Sequence, residues 1–177
     1  MRKFNRFVVI LTLSLVLPSF AWAAAGAKTT TIDRSSNLRI NPIGLLVGFA
    51  NLTWDIGAGD RFTIGPSAGF ITRSSNGQTA TGFGLGVESN FFLGHDRFTD
   101  SWILSPFLGY AHASNNSATA SGTSLGCNIQ YGWFYDGGFN IGLGGGIQYI
   151  SLDYTDLGLS SASGLWPSLT FTLGYSF

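Results

Sequence analysis

The chain has 177 residues, of which 45% are hydrophobic and 10% are charged, a charged fraction that is low for a soluble domain. Without Arg2, Lys3 and Arg6 of the N-terminal segment, the basic count falls from 9 to 6 against 9 acidic residues. A net acidic chain of this kind argues against a nucleic-acid partner, which requires a basic patch.

The N-terminal segment has the organisation of a secretory signal peptide. Its basic start precedes an apolar run from Phe7 to Phe20, and Ala21-Trp22-Ala23 forms a small-x-small cleavage site. The apolar run is too short for a membrane-spanning helix. We therefore predict a cleaved signal peptide over residues 1–24, followed by a polar periplasmic lead-in over residues 25–36.

After the lead-in, apolar residues occupy every second position of successive segments that are bounded by turn residues, a pattern typical of β-strands. The predicted strands are 37–45, 50–56, 61–73, 79–94, 101–113, 124–135, 139–151 and 169–177. The first is the only candidate for an eighth strand, and it would need an unusually tight link at 46–49. Since single-chain bacterial barrels have even strand numbers, the sequence predicts an all-β, eight-stranded, antiparallel, up-and-down transmembrane barrel over residues 37–177.

The last strand carries the clearest pattern in the chain. One of its faces is wholly apolar, and the alternate positions are Thr170, Thr172, Gly174 and Ser176. The apolar positions are Leu169, Phe171, Leu173, Tyr175 and Phe177. This ending resembles the C-terminal signal of bacterial outer-membrane barrels, which implies recognition by the barrel-assembly machinery.

Turn lengths predict an orientation. Short segments at 58–60, 94–100 and 136–138 alternate with longer ones at 73–81, 114–123 and 153–164. Outer-membrane barrels have short periplasmic turns and longer extracellular loops. We therefore expect the first set to face the periplasm and the second set to face the outside of the cell.

Three segments near the start of the predicted barrel resemble a family of small bacterial outer-membrane barrels classed as a domain of unknown function. They are Ile40-Asn41-Pro42-Ile43-Gly44-Leu45-Leu46, Asn51-Leu52-Thr53-Trp54-Asp55 and Arg61-Phe62-Thr63-Ile64-Gly65. The resemblance supports the count of eight strands, and it implies no activity.

The alternation directs five polar side chains into the barrel. They are Arg39, Asn41, Asp55, Arg61 and Glu88. Charges inside a narrow barrel must be paired or hydrated. We predict that Glu88, the sole glutamate, pairs with Arg39 or Arg61 and plugs the lumen. The alternative is a proton or ion path through these groups.

His112-Ala113-Ser114-Asn115 is the one catalytic candidate in the sequence. It resembles the catalytic segment of outer-membrane lipid A deacylases, which implies His112 as the base and Ser114 as the nucleophile. The acidic residue of that family is missing, because no glutamate follows Glu88. Elsewhere, Gly82-x-Gly84-x-Gly86 lies inside a strand without a following helix, and we expect neither a nucleotide nor any other cofactor or metal.

The sequence thus predicts an integral outer-membrane protein of a Gram-negative bacterium with a non-enzymatic envelope-structural or surface-interaction role. Its expected partners are outer-membrane lipid, lipopolysaccharide and the barrel-assembly machinery. Two alternatives stay open, a lipid A-modifying hydrolase that uses His112 and Ser114, and a narrow channel or transporter.

Overall fold

The computed structural model describes residues 34–46, 48–75, 78–115, 119–153 and 162–177, and the predicted signal peptide lies outside them. The described chain forms a closed barrel in which each strand pairs antiparallel with its sequence neighbours and the first pairs with the last. The strands are β1 (Ser36–Ile40), β2 (Phe49–Gly59), β3 (Phe62–Ser75), β4 (Gln78–Phe92), β5 (Ser101–Ser114), β6 (Thr119–Phe134), β7 (Phe139–Asp153) and β8 (Ala162–Ser176). The predicted all-β, eight-stranded, up-and-down barrel is confirmed.

Side chains alternate between the two faces of the wall. In β7, Phe139, Leu143 and Ile147 are exposed on the outer face, while Asn140 and Gly142 are buried inside. Since the side-chain period of a strand is two, a register error of one residue would exchange the two faces. The ladders therefore preserve the polar-inside, apolar-outside arrangement that the sequence predicts.

The prediction of a strand over residues 37–45 is wrong beyond Ile40. There β1 ends, and the short helix α1 (Pro42–Leu46) leads to β2. The side-chain oxygen of Asn41 accepts hydrogen bonds from the backbone N–H groups of Ile43 (3.0 Å) and Gly44 (3.3 Å), which caps this helical turn. Pro42 follows at the first helical position, where its missing N–H has no cost. In the part of the chain that the structure describes, no helix is long and apolar enough to cross a membrane.

The barrel has two ends that we name by their connections. At the terminal end, β1 starts, β8 finishes and the links β2–β3, β4–β5 and β6–β7 are found; the other connections lie at the loop end. Phe177 closes the ring at the terminal end. Its N–H donates to the carbonyl of Ser36 (2.8 Å), and its own carbonyl accepts from the N–H groups of Ser35 and Ser36 (both 3.0 Å).

The predicted long segments 73–81 and 114–123 are wrong in their extent, because described ladders cover most of both, and residues 154–161 of the third, 153–164, lie outside the described residues. The β3–β4 ladder continues to the pair Ser75 and Gln78, and the β5–β6 ladder continues to Ser114 and Thr119. The polar segments that read as loops therefore continue the strands, because backbone pairing does not require apolar side chains. The β4–β5 link, residues 93–100, lies at the terminal end and is longer than either of the gaps closed by these two ladders.

Candidate functional site

The most elaborate arrangement of functional groups is an ionic cluster inside the terminal-end half of the barrel. The Nε of Arg39 donates to one carboxylate oxygen of Asp55 at 2.7 Å, and its Nη2 donates to the other at 3.0 Å. The same Nη2 also donates to Glu88. The side chains of Arg39 and Asp55 are 7% and 3% exposed, whereas that of Glu88 is 20% exposed. Two carboxylates on one guanidinium leave an excess of one negative charge.

Amide and hydroxyl groups extend this cluster around the barrel. Asn37 donates to Asp55 at 3.1 Å, and Asn140 donates to Asn37 at 2.8 Å. On the other side, Asn90 donates to Asp55 at 3.0 Å and accepts from Ser105 at 2.7 Å. We call the set the polar belt. Its members are Asn37, Arg39, Asp55, Thr63, Glu88, Asn90, Ser105, Gln130 and Asn140.

The belt depends on glycines in the strands beside its polar side chains. A side chain at Gly65 would collide with the carboxylate of Asp55, and one at Gly174 would collide with Asn140. The glycines therefore leave the space in which the longer polar side chains of neighbouring strands meet. Because these side chains come from β1 to β7, the belt ties most of the ring together. A satisfied buried network of this kind rigidifies the structure that contains it.

An apolar cap closes the terminal end below the belt. Phe92, Phe98 and Ile103 are buried, and Phe134 packs against them. Phe98 belongs to the β4–β5 link and has φ of 60°, a backbone conformation that residues other than glycine rarely adopt. Arg97 beside it binds the carbonyl oxygens of Arg34 (3.1 Å) and Gly59 (3.0 Å), which holds the link across the barrel.

A cavity of about 20 Å³ lies between the belt and the cap, with room for about one water molecule. The side-chain oxygen of Gln130 lines it and has no hydrogen-bond partner among the described groups. Buried polar atoms normally have a partner, so a water molecule is the natural occupant of this space. The belt and the cap together obstruct the terminal-end half of the lumen.

The structure brings together only part of the predicted interior cluster. Arg39, Asp55 and Glu88 meet, but Asn41 caps α1, and Arg61 lies exposed in the β2–β3 turn because β3 begins one residue later. The partner of Glu88 is accordingly Arg39. Asn90 and Asn140 are also buried inside the barrel, and their membership of the belt follows from the register between strands, which one strand alone does not specify.

The catalytic candidate lies on the outer face near the loop end. His112 pairs across the ladders with Phe83 and Ser121, and its ring lies 5.7 Å from that of Phe83. Neither of these two described ladder neighbours is acidic, so neither can orient His112 as a base. Within the described residues, no group of three or more His, Cys, Asp or Glu side chains could hold a metal ion.

Comparison with known proteins adds no relative. No family model matches the chain, and neither the curated proteins nor the solved structures contain a match. The resemblance of the first strands to an outer-membrane barrel family of unknown function therefore stays a prediction.

Proposed function

We propose that this chain is an integral outer-membrane barrel of a Gram-negative envelope with a structural or surface-interaction role rather than an enzymatic one. The observation that carries the proposal is the inverted distribution of polarity. Large apolar side chains are exposed on the outer face of all eight strands, while most of the buried residues are polar. A barrel in water would gain stability from the opposite arrangement, whereas a lipid-embedded barrel requires this one.

The spacing of exposed aromatic residues supports the proposal, because it corresponds to the length of strand that crosses a bilayer. Three strands carry an exposed aromatic side chain near each end of their apolar stretch, with smaller or aliphatic residues between. The pairs are Phe83 and Phe91, Trp102 and Tyr110, and Phe139 and Tyr149. Each stretch matches the roughly 9–11 residues with which a tilted strand crosses a bilayer. The aromatic residues then correspond to the two interfacial girdles of outer-membrane barrels.

The orientation and the export of the protein belong to the same proposal. The terminal end faces the periplasm, where single-chain barrels keep both termini, and residues 1–24 are removed as a signal peptide. The outward positions Leu169, Tyr175 and Phe177 are exposed on the terminal strand, where the barrel-assembly machinery would find them. Lipid and lipopolysaccharide then surround the apolar face.

The arrangement of the site favours this role over the two alternatives. The polar belt and the apolar cap obstruct ion flow through the terminal-end half, which disfavours a channel. The lack of an acidic partner for His112 in its two described ladders disfavours a hydrolase built on His112 and Ser114. The lipid A mass spectrum of a deletion strain tests for deacylation, and planar-bilayer conductance of the purified protein tests for a pore.

The membrane location is tested by fractionation of a Gram-negative host that expresses the full chain. We expect the protein in the outer-membrane fraction, as a band whose mobility changes on heating. Recovery from the soluble periplasm in native expression would exclude the proposal. Phe177→Ala should reduce the assembled fraction while export continues; deletion of Phe177 is a poorer test, because it also removes the backbone bonds to Ser35 and Ser36.

A matched pair of arginine substitutions tests the lipid face. Leu143→Arg, near the middle of the apolar stretch of β7, should destabilise the barrel in vesicles by about 2–4 kcal/mol. Ser151→Arg lies on the same face but beyond Tyr149, and there the cost should fall to about 0–1 kcal/mol. Equal unfolding midpoints in a urea titration would contradict a lipid-facing wall.

A further inference from the structure

The wall of the barrel is lower on one side than elsewhere. β1 ends at Ile40, and β2 begins only at Phe49, whereas β8 continues from its last β1 pair, at Leu173, to Ala162. Above Leu173, no described strand pairs with this edge of β8. Helix α1 lies at the base of the gap, and its few residues cannot fill a gap of this height. We call this gap the rim cut.

The sequence of β8 fits an open edge. Around the seam, the N–H of Phe177 points to β1 and that of Ser176 points to the neighbouring carbonyl of Gly138. The regular β7–β8 ladder continues this alternation, so position 167 also directs its backbone nitrogen to the open side. Proline stands there, and proline has no N–H to leave unpaired. At this position the open edge therefore leaves no backbone N–H group without a partner.

A second observation shows that the interior is accessible at this level. The alternation of β8 directs Trp166 inward, opposite Gln148, yet Trp166 is 55% exposed. Two residues further down the same face Ser168 is half-buried, and Thr170 is buried. The opening thus begins above Thr170 and widens towards the loop end.

We propose that the rim cut admits one alkyl chain of a bilayer lipid sideways into the loop-end half of the barrel. The inference rests on the proposed membrane insertion. On the outer face of the cut, Leu165, Pro167 and Leu169 are exposed beside it, so lipid reaches its edge. The gap left by the missing continuation of β1 is about two strand spacings wide, roughly 10 Å, which is wider than an alkyl chain. Inside, Trp166 offers an apolar surface, and Gln148 and Ser168 are neutral.

Two single-tryptophan variants test the proposal in vesicles that contain acyl-chain-brominated phospholipid. One variant retains Trp166 and the other retains Trp54, which is outward and 49% exposed on β2. Bromine quenches tryptophan on contact, so Trp54 reports insertion and Trp166 reports entry of the chain. We expect fluorescence loss in both. Loss for Trp54 alone would overturn the rim cut and leave insertion standing; loss for neither would overturn both proposals.

A filling variant distinguishes entry from contact at the outer rim. In the Trp166 variant, Ser168→Phe adds bulk on the inner face, and Leu169→Phe adds bulk on the outer face one residue away. We expect Ser168→Phe to reduce the quenching of Trp166 and Leu169→Phe to leave it unchanged, with both proteins retaining their heat-dependent mobility. Unchanged quenching in Ser168→Phe would mean that lipid touches Trp166 from outside, and the proposal would then be wrong.

Discussion

The two halves of the barrel interior are built differently, although one alternation governs both. In the terminal-end half, polar side chains from seven strands meet in the belt above a cap of aromatic residues. In the loop-end half, glycine occupies the successive inward positions 82 and 84 of β4, and the next strand approaches so closely that a β carbon at Gly82 would collide with the backbone of His112 and Ala113. Alternation decides which face a residue occupies, and side-chain size decides whether side chains or backbone fill the interior.

The strongest test of this contrast removes the cation of the belt. Arg39→Gln should lower the free energy of unfolding by about 3–5 kcal/mol, because Asp55 and Glu88 would remain buried without a positive partner. The control in the loop-end half is Gln148→Ala, a neutral, partly exposed position that should cost less than about 1 kcal/mol. Urea titration of the folded barrel measures both. Similar losses would mean that the two halves are not stabilised differently.

The cap comes next in expected size. Phe98→Ala should cost about 3 kcal/mol, as expected for removal of a buried aromatic ring. Phe98→Gly should cost no more than this, since glycine adopts φ of 60° without strain. In an ordinary strand glycine would be the worse substitution. A clearly lower unfolding midpoint for the glycine variant than for the alanine variant would show that the backbone of the link relaxes when the ring is lost.

In the loop-end half, substitution of a glycine should destabilise the barrel, though less than Arg39→Gln does in the terminal-end half. Gly82→Ala places a methyl group against the carbonyl of His112, and overpacking of this kind typically costs about 1–3 kcal/mol. Gly137→Ala in the β6–β7 turn is the control, because a β carbon there meets no described atom within 4 Å. If both variants unfolded at the same urea concentration, the close approach of the strands would not contribute to stability.

The smallest effect expected is that of Glu88→Gln, about 1 kcal/mol, because the loss of a hydrogen bond to a charged group is partly offset by no longer burying the second carboxylate. Arg39 keeps both of its bonds to Asp55, and the excess negative charge of the cluster disappears. Bilayer conductance should not change. Unchanged stability together with altered ion flux would instead favour the channel alternative.

The strand faces were predictable because lipid outside and a narrow interior impose a period of two on every strand. From Phe139 to Tyr149 the predicted and observed faces agree at each position. The end of β1 was missed because Ile40, Pro42 and Gly44 continue an alternation. Asn41 and Pro42 nevertheless form a cap and a first helical position, a local signal that outweighs the pattern.

The ionic contacts were only partly predictable. Alternation placed Arg39, Asp55 and Glu88 inside, but two cations were available and the sequence did not choose between them. The choice depends on the turn at Asp60 and Arg61, which takes Arg61 out of β3 and leaves it exposed. The belt itself needs the register across seven strands, and a period within one strand carries no information about register between strands.

The seam between β1 and β8 has a consequence for the order in which the barrel forms and opens. Its ladder runs only from Asn37 to Ile40, yet it joins the two most distant parts of the described chain. Contacts of such large sequence separation are entropically the last to be made. We expect the other strands to assemble first and the seam to close the ring. In amide hydrogen exchange, the seam should open before the long β6–β7 ladder, without global unfolding.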